Sequence, residues 1–313
     1  MLNQLKTIFL LGVLTALLLG VGQALAPGHT VAFLAMAAAM NLGAWFFSDR
    51  LVLRMSGARE VDVAEAPDLH AMVDELARRA GIPKPKVCVI DQDQPNAFAT
   101  GRNPAHGVVA VTRGLSSMLD RRELRAVLAH EIGHIRNRDI LVASVAAAFA
   151  AAIGYLAQSL AFAGLFGGRS EDDGEGEGSA AGGLLVMLVA PLAATLVQLG
   201  ISRSREYMAD EAGAELPGDP RALASALEKL QSFASAIPAS PVPATASLYI
   251  VNPLSAGARV AGLFSTHPST EERVERLLRL DAAMRTGVAT AGAGPRTLPG
   301  GPSLSSTMSQ ARR

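Results

Sequence analysis

The sequence predicts a mainly α integral membrane protein, with about four transmembrane helices and an α+β domain that holds a small sheet. Three observations predict this class. Half of the 313 residues are apolar and only 18% are charged, and the mean hydropathy is +0.28. The apolar residues gather into four blocks, and about 20 such residues in a helix cross a bilayer core. Between the second and third blocks lies a water-compatible stretch with helix and strand periodicities, which contains His130-Glu131-Ile132-Gly133-His134.

The first block, residues 5–26, is almost uninterrupted apolar sequence. Lys6 ahead of it and Ala24-Leu25-Ala26 at its end also resemble a cleavable signal peptide. A second block, residues 31–47, follows after only Pro27-Gly28-His29-Thr30, so a transmembrane hairpin over residues 5–48 is the preferred reading. Arg50, Arg54, Arg59 and Glu60 then mark the exit into water.

Residues 60–139 form the first part of the water-facing domain. Leu69, Met72, Val73, Leu76 and Ala80 share one side of an amphipathic helix over residues 68–80, and Gly81-Ile82-Pro83 stops it. Residues 87–90 and 107–111 read as short strands, and Asn96-Ala97-Phe98-Ala99-Thr100-Gly101 as a third between them. Asp120 with Glu123 three residues later forms a capping-box pair. Behind it Leu124, Val127, Leu128, Ile132 and Ile135 make an apolar stripe at helical spacing.

The third block, 140–166, is rich in Ala and free of charge. Residues 167–183 are Gly-rich and acidic, with Glu171, Asp172, Asp173, Glu175 and Glu177 against Arg169, and read as a flexible solvated loop. The fourth block is 184–201, after which residues 202–285 return to water as the second part of the domain. Asp219-Pro220 starts one of its helices, with Leu223, Ala226, Leu227 and Leu230 on one side. Residues 286–313, rich in Gly, Pro, Ser and Thr, form a tail without periodicity that is expected to be disordered.

Lysine and arginine placement orients the four spans. Lys6, then Arg50, Arg54 and Arg59, then Arg136 and Arg138, then Arg203 and Arg205 all flank the same side, while the two remaining loops hold Arg169 alone. By the positive-inside rule both termini and the His130–His134 helix face the cytoplasm. A net charge of zero implies no polyanion partner and gives nucleic-acid binding no support. The one cysteine, Cys88, leaves no internal disulfide.

The chemistry starts from the spacing of His130 and His134. Residues four apart lie one turn apart on one helix face, so both imidazoles can grip one metal ion. Glu131 is then beside the metal without binding it, which suits a base that acts on a water the metal activates. Alone, the motif also fits a helix with two surface histidines. A catalytic zinc takes three protein ligands and leaves one position open. Glu206 and Asp210 are four apart beyond the fourth block. Glu206 is a candidate third ligand, and Asp210 a candidate acceptor for a ligand histidine's N–H. Both also fit an ordinary charged helix surface.

The chain resembles the HtpX-type membrane zinc metalloproteases, relatives of the CAAX prenyl endopeptidases. The matching pieces are the N-terminal hairpin, Asn96-Ala97-Phe98-Ala99-Thr100-Gly101, His130-Glu131-Ile132-Gly133-His134 with Asn137-Arg138-Asp139, Arg205-Glu206-Tyr207-Met208-Ala209-Asp210, and His267-Pro268-Ser269-Thr270-Glu271-Glu272-Arg273. The resemblance implies a gluzincin-like domain with one Zn2+ per chain on His130, His134 and Glu206, and Glu131 as the catalytic base. It places Asn96, Ala97, Phe98, Ala99 and Thr100 beside the substrate. His267 either donates to the developing oxyanion or only shapes the entry to a capped helix, and Arg273 is a further candidate near the site. The resemblance also implies protein substrates, membrane or misfolded, at the cytoplasmic face of a bacterial inner membrane. One rival reading is a membrane scaffold with a structural metal; such sites close four positions, often with thiolates, and Cys88 is far from the motif. The other is a prenyl-protein endopeptidase, whose family members by resemblance have more spans.

Overall fold

The computed structural model describes residues 28–145, 203–236, 250 and 268–286, with eight single helical positions between residues 8 and 23. The first helix described without a break, α1 (Thr30–Met55), covers the second apolar block and runs on through Arg50 and Arg54. No helix breaker stands between Phe47 and Met55, so the helix ends only near Gly57, whose φ of 65° suits glycine. Among the described residues α1 is the one helix long and apolar enough to cross a membrane. The two N-terminal blocks touch: the Asn41 side-chain amide donates to the Thr15 hydroxyl at 2.8 Å and to the Leu11 carbonyl at 3.3 Å. Such polar contacts tie helices together where lipid offers no partner.

The domain that follows is built on a four-stranded mixed sheet of order β1-β2-β4-β3, from Ala58–Glu60, Lys86–Ile90, Val108–Thr112 and Ala97–Thr100. β2 and β4 are parallel; β1 and β3 flank them antiparallel. Successive strand residues point to opposite faces. Val87, Val109, Val111, Ala97 and Ala99 therefore join the main core, and Cys88, Ile90, Val108, Ala110 and Phe98 pack on the other face with Val52 of α1. Both faces are covered at β2, β3 and β4, which explains why those three strands are mostly apolar. The eight-residue extension of α1 beyond the predicted span supplies that cover.

Against the main face lie α2 (Pro67–Ala80) and α4 (Arg121–Arg136), with the short α3 (Arg113–Met118) before α4. Asp120 and Glu123 form the expected capping box: Asp120 Oδ1 accepts the Glu123 N–H at 2.9 Å, and Glu123 Oε2 accepts the Asp120 N–H at 2.9 Å. A further helix begins at Ile140, and its first residues, Ile140, Leu141, Val142, Ser144 and Val145, are buried in protein. Later in the chain come α5 (Arg203–Glu215), α6 (Pro220–Ala236) and α7 (Thr270–Arg285). The expected span 184–201 and acidic loop 167–183, most of the spans 5–26 and 140–166, and the tail beyond Thr286 lie outside the described residues.

Candidate metal centre

α4 carries His130 and His134 one turn apart, with ring centroids separated by 4.8 Å and planes at 90°. The third member comes from α5, and two glycines set how closely that helix can approach. A Cβ on Gly133 would stand 2.8 Å from the Ala212 Cβ, and one on Gly213 would meet Leu223 at 2.7 Å and the His130 Cβ at 3.2 Å. At so short a range α5 lays Glu206 directly against the histidine pair. His130 Nε2 is 3.2 Å from His134 Nε2. The two Glu206 oxygens lie 3.8 Å from His130 Nε2 and 3.7 Å from His134 Nε2. Ligands on a tetrahedral zinc with bonds of about 2.0–2.1 Å stand about 3.3 Å from one another. Two imidazoles and one carboxylate at these separations fit that ion, and with three donors one position stays free.

The far nitrogen of each ring meets a carboxylate. His134 Nδ1 lies 3.2 Å from Asp139 Oδ2. His130 Nδ1 lies 3.0 Å from Asp210 Oδ1, a close charge contact too bent to count as a hydrogen bond. Such contacts hold a ligand ring in one tautomer and one orientation. Asp210 in turn receives two hydrogen bonds from Arg273, from Nε at 2.9 Å and from Nη2 at 2.7 Å. His130, Asp210 and Arg273 are all buried, whereas the His134 side chain keeps 17% of its surface exposed and marks the open side of the cluster.

The charges at the site follow from burial and these partners. Burial pushes the Glu131 carboxyl up to about 8, with Glu206 adding to the rise, while His134 and the Ala99 backbone oppose it. Burial also lowers the His130 imidazole, and Asp210 does not outweigh it. For His134 burial acts in the same direction, but Asp139, Glu206 and Glu131 overcome it and raise the ring to about 9. Burial would raise Asp210, yet Arg273 and His130 hold it below the usual carboxylate range. Glu131 thus stands beside the histidines as a buried carboxyl more basic than an ordinary one.

β3 forms the edge of the sheet next to this cluster. The Thr112 N–H donates to the Asn96 carbonyl, and the register continues as Phe98 opposite Ala110 and Thr100 opposite Val108. In an antiparallel pair hydrogen-bonded and non-bonded positions alternate. Ala97 and Ala99 therefore turn their main-chain groups away from β4, and the Ala99 backbone is near enough to Glu131 to oppose the rise of its carboxyl. Asn96 is buried at the head of the strand, with its Oδ1 unpartnered among the described residues. The Thr100 hydroxyl meets the Ser144 hydroxyl at 2.7 Å.

His130, Glu131, His134, Glu206 and Asp210 thus come together, with Ala97–Thr100 alongside. His267 lies outside the described residues. Arg273 is near the cluster but points away from its open side, because its donors go to Asp210 and to the Ile250 carbonyl at 2.8 Å. Two participants escaped sequence reasoning, Asp139 as the partner of His134 and the clamp of Arg273 on Asp210. Asp139, five residues after His134, had a usable signal in its spacing; Arg273 had only its place in the last motif.

Residues 63–281 match the family described as Peptidase family M48. A protein described as "Protease HtpX homolog" from Sulfurihydrogenibium sp. (strain YO3AOP1) is 50% identical over 295 residues, covering 92% of this chain and 99% of its own. A second of that description, from Aquifex aeolicus (strain VF5), is 52% identical over 254 residues, covering 80% of this chain and 84% of its own. The crystal structure of S. mikatae Ste24p aligns with a TM-score of 0.47 and 21% identity, over 88% of this chain and 65% of that one. The family match spans His130, His134 and Glu206, and the likeness to the HtpX homologues runs almost end to end; this chain belongs to peptidase family M48 and is a metalloprotease.

Proposed function

We propose that the chain is a zinc-dependent endopeptidase that hydrolyses peptide bonds of membrane or misfolded proteins at the cytoplasmic face of a bacterial inner membrane. The observation that carries this reading is the cluster of His130, His134 and Glu206, whose ligand atoms all lie within 4.8 Å of one another. Glu131 beside it supplies a proton acceptor. The apolar helix α1 and the basic residues that flank the apolar blocks support the placement at the membrane.

His130, His134 and Glu206 would hold the zinc, which supplies Lewis acidity to activate a water and polarise the scissile carbonyl. Glu131 takes the proton of the attacking water on a carboxylate oxygen and delivers it to the leaving amine. Asp139 and Asp210 keep the two imidazoles turned with Nε2 toward the shared centre. The outward main-chain groups of Ala97 and the carbonyl of Ala99 offer an edge to which an extended substrate adds as a further strand. Main-chain pairing of that kind gives affinity with little sequence preference, which suits an enzyme that disposes of diverse proteins.

The test is Glu131→Gln. The amide keeps the size of the side chain and its place on α4, but it cannot take the proton. Cleavage of an unfolded protein such as casein should fall by about 10²–10⁴-fold, with zinc content and fold unchanged. Equal proteolysis by the wild type and a zinc-replete Glu131→Gln protein would exclude the mechanism, and would favour a structural role for the metal.

A further inference from the structure

Arg273 is the fourth residue of α7, far along the chain from the metal motif. Ser269 caps that helix by accepting the Glu272 N–H at 3.2 Å, so the position of Arg273 on the first turn is well set. Its guanidinium is almost wholly buried, at 1% exposure. A buried cation is tolerated only where its donors are matched, and here they are. Nε donates to Asp210 Oδ2 at 2.9 Å, Nη2 to Asp210 Oδ1 at 2.7 Å, and Nη1 to the Ile250 carbonyl at 2.8 Å.

The two-pronged grip fixes the plane of the Asp210 carboxylate, which a single hydrogen bond would leave free to swing. Asp210 Oδ1 is also the oxygen that lies 3.0 Å from His130 Nδ1. A neutral imidazole has one proton; if the acceptor keeps it on Nδ1, the lone pair is on Nε2, the nitrogen that faces His134 and Glu206. We propose that Arg273 is a positioning residue of the metal centre, which acts by clamping both oxygens of Asp210 and so sets the tautomer and orientation of His130. It touches neither metal nor substrate. Lysine cannot replace it, since an ammonium is a point charge without a planar fork. The proposal rests on His130 being a metal ligand.

The test uses the full-length chain in detergent. Zinc affinity is read by competition with a chromophoric chelator, and ligand geometry by the visible spectrum of the Co2+-substituted protein. Arg273→Lys should bind zinc about 10–100-fold more weakly, the range seen when an outer partner of a ligand is lost. Its Co2+ spectrum should change while far-UV circular dichroism holds. Arg273→Lys combined with Asp210→Asn should bind zinc no more weakly than Asp210→Asn alone, because the arginine acts through the aspartate. Wild-type zinc affinity in Arg273→Lys, or losses that multiply in the double variant, would overturn the proposal. If Arg273→Lys does not fold, Arg273→Gln decides, since it removes the charged fork and leaves Asp210 in place. A folded protein of wild-type zinc affinity overturns the clamp, and affinity at least 10-fold weaker supports it. His130→Ala separates the premise from the proposal: unchanged zinc affinity there removes His130 as a ligand, while loss of zinc there with none in Arg273→Lys removes only the clamp.

Discussion

The two histidines of the cluster are each braced by a carboxylate, but the braces are made in opposite ways. That of His134 is local. The helix ends in a turn in which the Arg138 N–H donates to the Ile135 carbonyl and the Asp139 N–H to the His134 carbonyl. Arg138 takes a φ of 60° there, the left-handed conformation usually given to glycine at this point of a helix end. The turn folds Asp139 straight back onto His134. The brace of His130 is tertiary. Asp210 arrives on α5 through the close approach at Gly133 and Gly213, and Arg273 arrives on α7 to hold it. A local brace survives shifts of neighbouring helices at the cost of one strained residue; a tertiary brace depends on the whole domain.

The comparison can be broken most strongly at Asp210. Asp210→Ala leaves the Arg273 charge buried with its main partner gone, and breaking such a pair costs about 3–5 kcal/mol. The melting temperature should fall steeply and zinc binding with it; a normal melting curve would mean that Arg273 finds another partner or leaves the interior. Gly133→Ala tests the helix approach that the tertiary brace requires. Overpacking of this kind costs about 1–3 kcal/mol, and Ala212→Gly in the same chain should restore both stability and zinc affinity. Failure of that rescue would locate the crowding elsewhere.

Asp139→Asn probes the local brace, and its effect should be smaller. Zinc affinity is expected to fall by about 10-fold, the low end for the loss of such a partner, with thermal stability unchanged because the turn's main-chain bonds remain. A loss as large as that from Asp210→Ala would erase the distinction between the braces.

The mildest effect belongs to the other end of α4, where Glu123 combines both kinds of contact. It closes the capping box locally, and it accepts from Ser225 and from Lys229 of α6 at 2.7 Å each. Burial would raise this carboxyl, but Lys229, Ser225 and the Asp120 amide outweigh it and hold it below the usual range. A carboxyl lowered in the folded state adds stability above its unfolded pKa, and that stability is lost as pH falls through the folded value. Glu123→Gln should therefore flatten the acid side of the melting temperature plotted against pH, at and below the ordinary glutamate range. An unchanged acid limb would assign that loss of stability to other carboxylates.

The same division between local and tertiary contacts separates what could be read in advance from what could not. The helix of His130 and His134, its capping box, the strands around residues 87–90 and 107–111, and the S-x-x-E entry to α7 are all patterns within a few residues. Local hydrogen bonding and periodicity express them directly. β1 is only three residues long, too short to carry a periodicity, and α1 runs on past the apolar block because charge at Arg50 and Arg54 does not stop a helix.

The sequence by itself determined the donor types, the one-turn spacing of His130 and His134, and a carboxylate pair one turn apart at Glu206 and Asp210, because helical pitch makes such spacing a statement about a shared face. Only the tertiary structure decided that Glu206 meets the histidines, that Asp210 turns to His130, and that Arg273 serves Asp210 instead of the open side of the site. Those outcomes depend on the distance between α4 and α5, which two absent Cβ atoms permit, and on a buried arginine that must satisfy its donors wherever the packing leaves an acceptor. No short window of residues contains either condition.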